Sequence, residues 1–361
     1  MDPSALPRGF RNRGDDCFVC AALQCIAHDT ALRDYLMLAA RPTEAAPLAA
    51  ALVDVLSQLQ ERSAEPVDPS RFRATLALSA PQFAGDGQGD ASELFAWLLS
   101  GLHDELRTLQ TACDREGESP GPGDDAWLAY WQTSSSRIVE MRHGMQHTIS
   151  ECQDCHQRTD EPSPFAMLSL SLPAGPGLAQ PLDLRCCING WCLPTIAPTV
   201  VFCSHCDDFR PGTQQRTVGR LPPCLTFHIQ RLDEHALHAA VTCPVSLPSE
   251  VLRATALTVD GDRNDGESEL HIHPAQEYEL FAVTHIAHAE GLGSTHYYSC
   301  CQVCQPASQQ PAPPRTSCSR AGVAQGGGDH GWLRFDDEDV QAVDECHAVS
   351  GIVHMACYRL K

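Results

Sequence analysis

The sequence predicts an α+β fold in which a helical part precedes a strand-rich part. Up to about residue 145, apolar residues recur three and four positions apart, the spacing of one helix face. Beyond that point they alternate, as strand residues do, and the chain holds no internal repeat. A run of helices followed by a run of strands is the order of an α+β domain.

Each element follows from its own pattern. Cys17 to His28 places Phe18, Ala22, Leu23, Ile26 and Ala27 on one helix face. Leu48, Leu52, Val55, Leu56 and Leu59 make a second helical stripe. A third helix starts at Asp90: Asp90-Ala91-Ser92-Glu93 resembles a capping box, and Leu94, Phe95, Leu98, Leu99, Leu102 and Leu106 follow. Glu116 to Asp125 is rich in Gly and Pro and reads as a loop. Phe165 to Leu172, Leu225 to Leu232, Tyr278 to Thr284 and His296 to Gln302 read as strands. Gln305 to His330 carries four prolines, the run Gly326-Gly327-Gly328 and little that can pack, and reads as a flexible insertion.

Composition narrows the function classes. The 361 residues include 25 basic and 46 acidic side chains, a formal charge of −21. So acidic a chain is unsuited to nucleic acid or an anionic membrane, both of which demand cations, and it suits a basic protein partner. No apolar run approaches the roughly 20 residues of a membrane span. Met1-Asp2-Pro3-Ser4 lacks the basic and apolar parts of a signal peptide. An intracellular location, cytoplasmic or nuclear, is therefore expected. In a reducing compartment the 19 cysteines read as apolar fillers, metal ligands or nucleophiles rather than disulfides.

Among them, Cys17 opens a helix behind a glycine-containing loop, where the partial positive charge of the helix end favours a thiolate. Buried structural thiols are the commoner case, so position alone does not decide its role. His296 starts an apolar strand after Gly291-Leu292-Gly293, a place that suits a base beside a cleft; His285 and His288 are rivals. Asp336 and Asp337 can orient an imidazole or form a solvated acidic turn. The order Cys, His, Asp is that of papain-like thiol hydrolases. Cys152-x-x-Cys155 and Cys203-x-x-Cys206 can complete a four-sulfur zinc site, closed and hence structural. A third pair, Cys301 and Cys304, lies on a predicted strand with no second pair to complete it.

These residues sit in blocks that resemble the ubiquitin-specific proteases, papain-like cysteine deubiquitinases. Gly9 to Gln24 resembles the family's G-L-x-N-x-G-x-T-C-Y-x-N-S-x-L-Q box without a gap. Gln88-Gly89-Asp90-Ala91-Ser92-Glu93-Leu94-Phe95 is similar to Q-x-D-A-x-E-F-L. Leu221 to Arg231, Thr295-His296-Tyr297, Trp332 to Asp337 and Cys357 to Leu360 resemble the later blocks, in the family's order.

The resemblance implies one catalytic domain of thumb, fingers and palm: a helical thumb over 1–145, zinc-bearing fingers with flanking palm strands over 146–250, and a palm over 251–361 that contains the insertion 305–330. It implies Cys17 as nucleophile, His296 as base, Asp336 as the acid orienting it, Asn12 as oxyanion donor and Asp337 as an assistant. Asp90 and Glu93 match acidic positions that meet the basic tail of ubiquitin. Cys152, Cys155, Cys203 and Cys206 would hold one structural zinc, with no cofactor for catalysis. The implied reaction is hydrolysis at the C-terminal glycine of ubiquitin. Asp15, Asp16 and Thr295 depart from the family pattern, since a carboxylate disfavours a nearby thiolate and Thr is bulkier than the usual Gly. Two alternatives follow: a catalytically weak ubiquitin-binding scaffold, or a protease for a ubiquitin-like modifier.

Overall fold

The computed structural model describes residues 7–39, 46–61, 63–85, 87–109, 124–173, 181–194, 199–231, 242–248, 251–253, 276–288, 295–304 and 330–361. The predicted insertion except His330, which opens a strand, the turn at Gly291–Gly293 and nearly all of the predicted loop at 116–125 lie outside these residues. Among the described residues seven α-helices come first: α1 (Cys17–His28), α2 (Thr30–Ala39), α3 (Pro47–Gln60), α4 (Ser70–Ser79), α5 (Ala91–Leu109), α6 (Asp125–Ser134) and α7 (Arg137–Arg142). Next come β1 (Gly144–Cys152), β2 (Arg158–Phe165), β3 (Leu168–Ser171), β4 (Leu182–Asp183), α8 (Leu184–Cys192), β5 (Thr199–Cys203), β6 (Asp208–Arg220) and β7 (Cys224–Gln230). The chain closes with β8 (Val245–Ser246), β9 (Leu252–Arg253), β10 (Glu277–His288), β11 (Thr295–Cys304), β12 (His330–Asp336), β13 (Asp339–Val343), α9 (Glu345–Ala348), β14 (Ser350–Gly351) and β15 (Val353–Leu360).

The strands form a four-stranded sheet, β2-β1-β6-β5, and a larger one ordered β13-β12-β11-β10-β15-β7-β3 with β9 on β10. A two-sided core explains the sequence of the larger sheet. Ala282, Cys301 and Cys357 face the helices, whereas their neighbours Val283, Cys300 and Ala356 face a second core closed by Leu184, Ile188 and Trp191 of α8. A sheet covered on both faces loses the clean alternation of a half-exposed one. Helix α8, at the heart of the strand-rich part, was not foreseen.

Several predicted elements take a different form. All twelve residues of α1 are buried, so it is a central helix rather than one with a single apolar face. It packs between α5 and the strands β10, β11 and β12. Phe165 to Leu172 is not one strand: β2 ends at Phe165 and β3 starts at Leu168, because the chain passes from the smaller sheet to the larger. The side chain of Asp90 accepts from the N–H groups of Ser92 and Glu93 and so caps α5, while Glu93 itself is exposed.

A buried ion pair joins the helices to the sheet. Arg142 on α7 meets Asp29 at the end of α1, and both are almost fully buried. Arg142 also donates to Thr226 on β7 at 3.3 Å. None of the described cysteines is in a disulfide.

Candidate active site

The loop ahead of α1 is pinned to two distant segments. Phe10 N donates to Asp337 O at 2.8 Å, and Arg11 N donates to Val67 O at 2.8 Å. Gly9 makes this approach possible, for a Cβ there would lie 2.2 Å from the Asp337 carbonyl oxygen. The Cys17 end of the chain is thereby fastened to the turn that follows Asp336. Asp337 takes a left-handed φ of 54° in that turn, a conformation that aspartate tolerates better than most residues.

Cys17 is buried at the first position of α1. Its sulfur lies 4.0 Å from Thr295 O and 3.4 Å from Gln88 Nε2, a donor. Gly89 lies close against the Phe18 ring, where a Cβ would come within 2.6 Å, and this contact brings Gln88 to the sulfur. His296, at the start of β11, directs Nε2 to Asp336 Oδ1 at 2.6 Å, which leaves Nδ1 for Cys17. The Asp336 hydrogen bond, followed by that of Cys17 and against the effect of burial, raises the imidazole to about 10. Asp336 is held below the usual carboxylate range, chiefly by His296. Its other oxygen takes a hydrogen bond from Arg334, whose guanidinium stacks 4.1 Å above the Tyr298 ring.

The amide of Asn12 is oriented by its bonds. Oδ1 accepts from Gly14 N at 2.9 Å and Asp16 N at 3.2 Å, and Nδ2 donates to Asp337 Oδ2 at 2.8 Å. One Nδ2 hydrogen thus remains without an acceptor among the described residues. Burial raises the Asp337 carboxyl, and its side chain also meets Cys20, one turn along α1 from Cys17.

Asp16 occupies the N-cap position of α1 but makes no side-chain cap bond. Its carboxylate pairs with Arg73 Nε at 2.7 Å, and Arg73 also rests on the Phe18 ring and donates to Phe83 O. Arg73, on α4, had no signal in the sequence, whereas Arg334 stood in the block Trp332 to Asp337 without a role. Gln88 stood in a recognised block without a role. Of the rival histidines, His285 is fully buried, donates from Nε2 to Ala348 O and is pushed by burial to about 4, so it is structural. The side chain of His288 lies outside the described residues.

Cys152, Cys155, Cys203 and Cys206 come together at the ends of β1 and β5, their sulfurs within 4.8 Å of one another. The two turns are alike: each C-x-x-C is followed by a left-handed residue, His156 at φ 59° and Asp207 at φ 51°. Cys155 Sγ and Cys203 Sγ are 3.4 Å apart. Sulfurs about 2.3 Å from a tetrahedral zinc stand about 3.8 Å apart, so the donor set fits that ion. Cys301 of the third C-x-x-C is buried in the core and leans on Gln24 O, and the side chain of Cys304 lies outside the described residues.

Comparisons with known proteins bear on the family and the fold. The family model described as "Ubiquitin carboxyl-terminal hydrolase" matches residues 8–358. Ubiquitin carboxyl-terminal hydrolase 21 of Bos taurus is 30% identical over 253 residues, 62% of this chain and 45% of that protein. Ubiquitin carboxyl-terminal hydrolase 2 of Homo sapiens is 28% identical over 314 residues, 81% of this chain and 49% of that protein. The chain thus spans about half the length of the curated relatives it matches. Among solved structures, the Ubp8/Sgf11/Sus1/Sgf73 DUB module of SAGA bound to ubiquitin aldehyde contains a chain that superposes with a TM-score of 0.67 at 16% identity. That match covers 100% of this chain and 71% of the other. No helix among the described residues is long and apolar enough to cross a membrane.

Proposed function

The chain belongs to the ubiquitin carboxyl-terminal hydrolase family, and from this premise we propose that it is a cysteine-type deubiquitinase acting through Cys17, His296 and Asp336. The observation that carries the reading is the convergence of these residues: a thiol at a helix start, an imidazole raised to about 10, and a carboxylate 2.6 Å behind it. An imidazolium beside a thiol favours the thiolate, the nucleophilic form.

In this reaction Cys17 attacks the carbonyl carbon of ubiquitin's C-terminal glycine. The second Nδ2 hydrogen of Asn12 supports the oxyanion as charge develops, and Asp337 holds that amide in place. His296 then protonates the departing amine, and water hydrolyses the thioester. Gln88 stands where a second donor would stand. Asp90 and Glu93 are assigned to the basic tail of ubiquitin. Zinc, held by Cys152, Cys155, Cys203 and Cys206, would tie the β1–β2 and β5–β6 hairpins together and take no part in the chemistry. The divisions 1–145, 146–250 and 251–361 serve as thumb, fingers and palm.

The carboxylate of Asp16 argued for a weak enzyme, because it threatens the thiolate. Its pairing with Arg73 removes most of that objection. A ubiquitin probe with an electrophilic C-terminus tests the proposal: labelling at Cys17 is expected, and binding without labelling would establish the scaffold reading instead. Probes built on ubiquitin-like modifiers separate the remaining alternative.

A further inference from the structure

A second cluster of metal-ligating side chains lies apart from the four cysteines. One ligand atom each from Asp90, His228 and His354 lies within 4.8 Å of the other two. The three come from different elements: Asp90 precedes α5, His228 is on β7 and His354 is on β15.

The backbone is shaped to bring them together. Thr284 pairs with Met355, but the next residue, His285, pairs with Val353, so His354 is an extra residue in the ladder. Such a bulge re-aims a side chain, and here it sets His354 edge-on to His228 with ring centroids 4.9 Å apart. His354 Nε2 lies 2.9 Å from Asp90 Oδ1. The same oxygen is fixed by Ser92 N, Ser92 Oγ and Glu93 N. Ser169 Oγ meets His228 Nδ1 at 3.3 Å, which leaves His228 Nε2 for the cluster. A polar partner on the second ring nitrogen is how metal-binding histidines are ordinarily oriented. His354 is almost fully buried, and its Nδ1 has no hydrogen-bond partner among the described residues.

We propose that Asp90, His228 and His354 form a second cation site, built for a divalent ion of the zinc class, beside the catalytic centre. Two imidazoles and a carboxylate suit zinc and its neighbours in the transition series, whereas magnesium and calcium prefer all-oxygen sites. His354 Nε2 and Asp90 Oδ1 stand 2.9 Å apart, so they must part by roughly 0.4 Å to reach the spacing of about 3.3 Å between nitrogen and oxygen ligands on one tetrahedral zinc. Uptake requires Nε2 to give up the proton it shares with Asp90, which passes to Nδ1 or to solvent. Three protein ligands leave one position open.

The site lies next to the reaction. Tyr297, which follows His296 in sequence, has its ring centroid 5.2 Å from that of His354. A bound dication would turn the anionic Asp90 into a cationic centre and oppose a basic peptide tail. This consequence rests on the reading of Asp90 as a substrate contact, whereas ion uptake does not.

The experiment uses the full chain carrying one equivalent of zinc, titrated with cobalt(II) chloride. One further ion per chain is expected, with the visible bands of cobalt on nitrogen and oxygen and without the near-ultraviolet band of sulfur-bound cobalt. His228→Gln should weaken this uptake at least about tenfold. Ser169→Ala, which leaves every ligand in place, should weaken it by about the same factor. Uptake that shows only the sulfur band, or that neither variant changes, overturns the site. With the site established, added zinc should raise KM for a ubiquitin substrate in the intact protein and not in His228→Gln. An unchanged KM despite uptake would remove Asp90 from substrate binding and leave the cation site standing.

Discussion

Replacing Asp336 by Asn tests how the imidazole is held in its working state. Asp336 bonds His296 through Oδ1 and Arg334 through Oδ2. In the variant, Arg334 still donates, so it claims the one carbonyl oxygen of the amide. The NH₂ group then faces His296 Nε2, which can only accept from it. An imidazolium has no such acceptor, so the thiolate–imidazolium pair loses its main support. A hydrogen bond to a charged group contributes about 1.5–3 kcal/mol net, and the lower half applies here because both side chains are about a third exposed. A loss of about 1.5–2 kcal/mol lowers kcat/KM about 10- to 30-fold at neutral pH.

The sign of the pH effect is fixed as well. Activity that needs the imidazolium is lost as pH rises through the His296 value, about 10 in the intact protein. Asp336→Asn should therefore move the alkaline limb of kcat/KM down by about one to one and a half pH units. Folding stability follows the same linkage. The raised imidazole contributes stability that is fully present below about pH 6.5 and lost by about pH 10, and the variant should lack roughly a third of it, the part that corresponds to its shift. The assay is a kcat/KM profile on a ubiquitin substrate for both proteins, with probe labelling at each pH. Coincident alkaline limbs would show that Asp336 does not sustain the charge on His296.

Other predictions concern separate parts of the molecule. Cys17→Ala should abolish hydrolysis and leave ubiquitin binding measurable by titration; turnover by the purified variant would reject Cys17 as nucleophile. Arg73→Gln should lower kcat/KM about fivefold, since it leaves Asp16 without its partner, and Asp16→Asn in the same background should restore it. A double-mutant cycle measures the coupling, and additive effects would refute it. Cys155→Ser should reduce metal content from about one zinc per chain and lower the melting temperature, because metal binding at such a site is folding free energy; full activity and stability without zinc would contradict this. Arg142→Met should cost about 3–5 kcal/mol in denaturant unfolding by leaving Asp29 buried and unpaired, and a loss below 1 kcal/mol would show that the pair is dispensable.

The sequence by itself determined that a run of helices precedes a run of strands, and it marked the helix that presents Cys17 and the two C-x-x-C turns. These are local matters: apolar spacing, a glycine-containing loop and short cysteine intervals are written in consecutive residues. Cys17, His296 and Asp336 could be named because each sits in a short block, yet their meeting depends on Phe10 reaching the Asp337 carbonyl from the other end of the chain. What the tertiary structure alone decided has a common physical cause, namely charges and faces that find partners only after folding. Asp16 read as a charge set against the thiolate and is an ion-pair partner, because α4 brings Arg73 beside it. Strand β10 did not show the alternation of a half-exposed strand along its full length, because a second core covers the other face of the sheet. His354 left no pattern at all, since a bulge, not a periodicity, turns it toward Asp90 and His228.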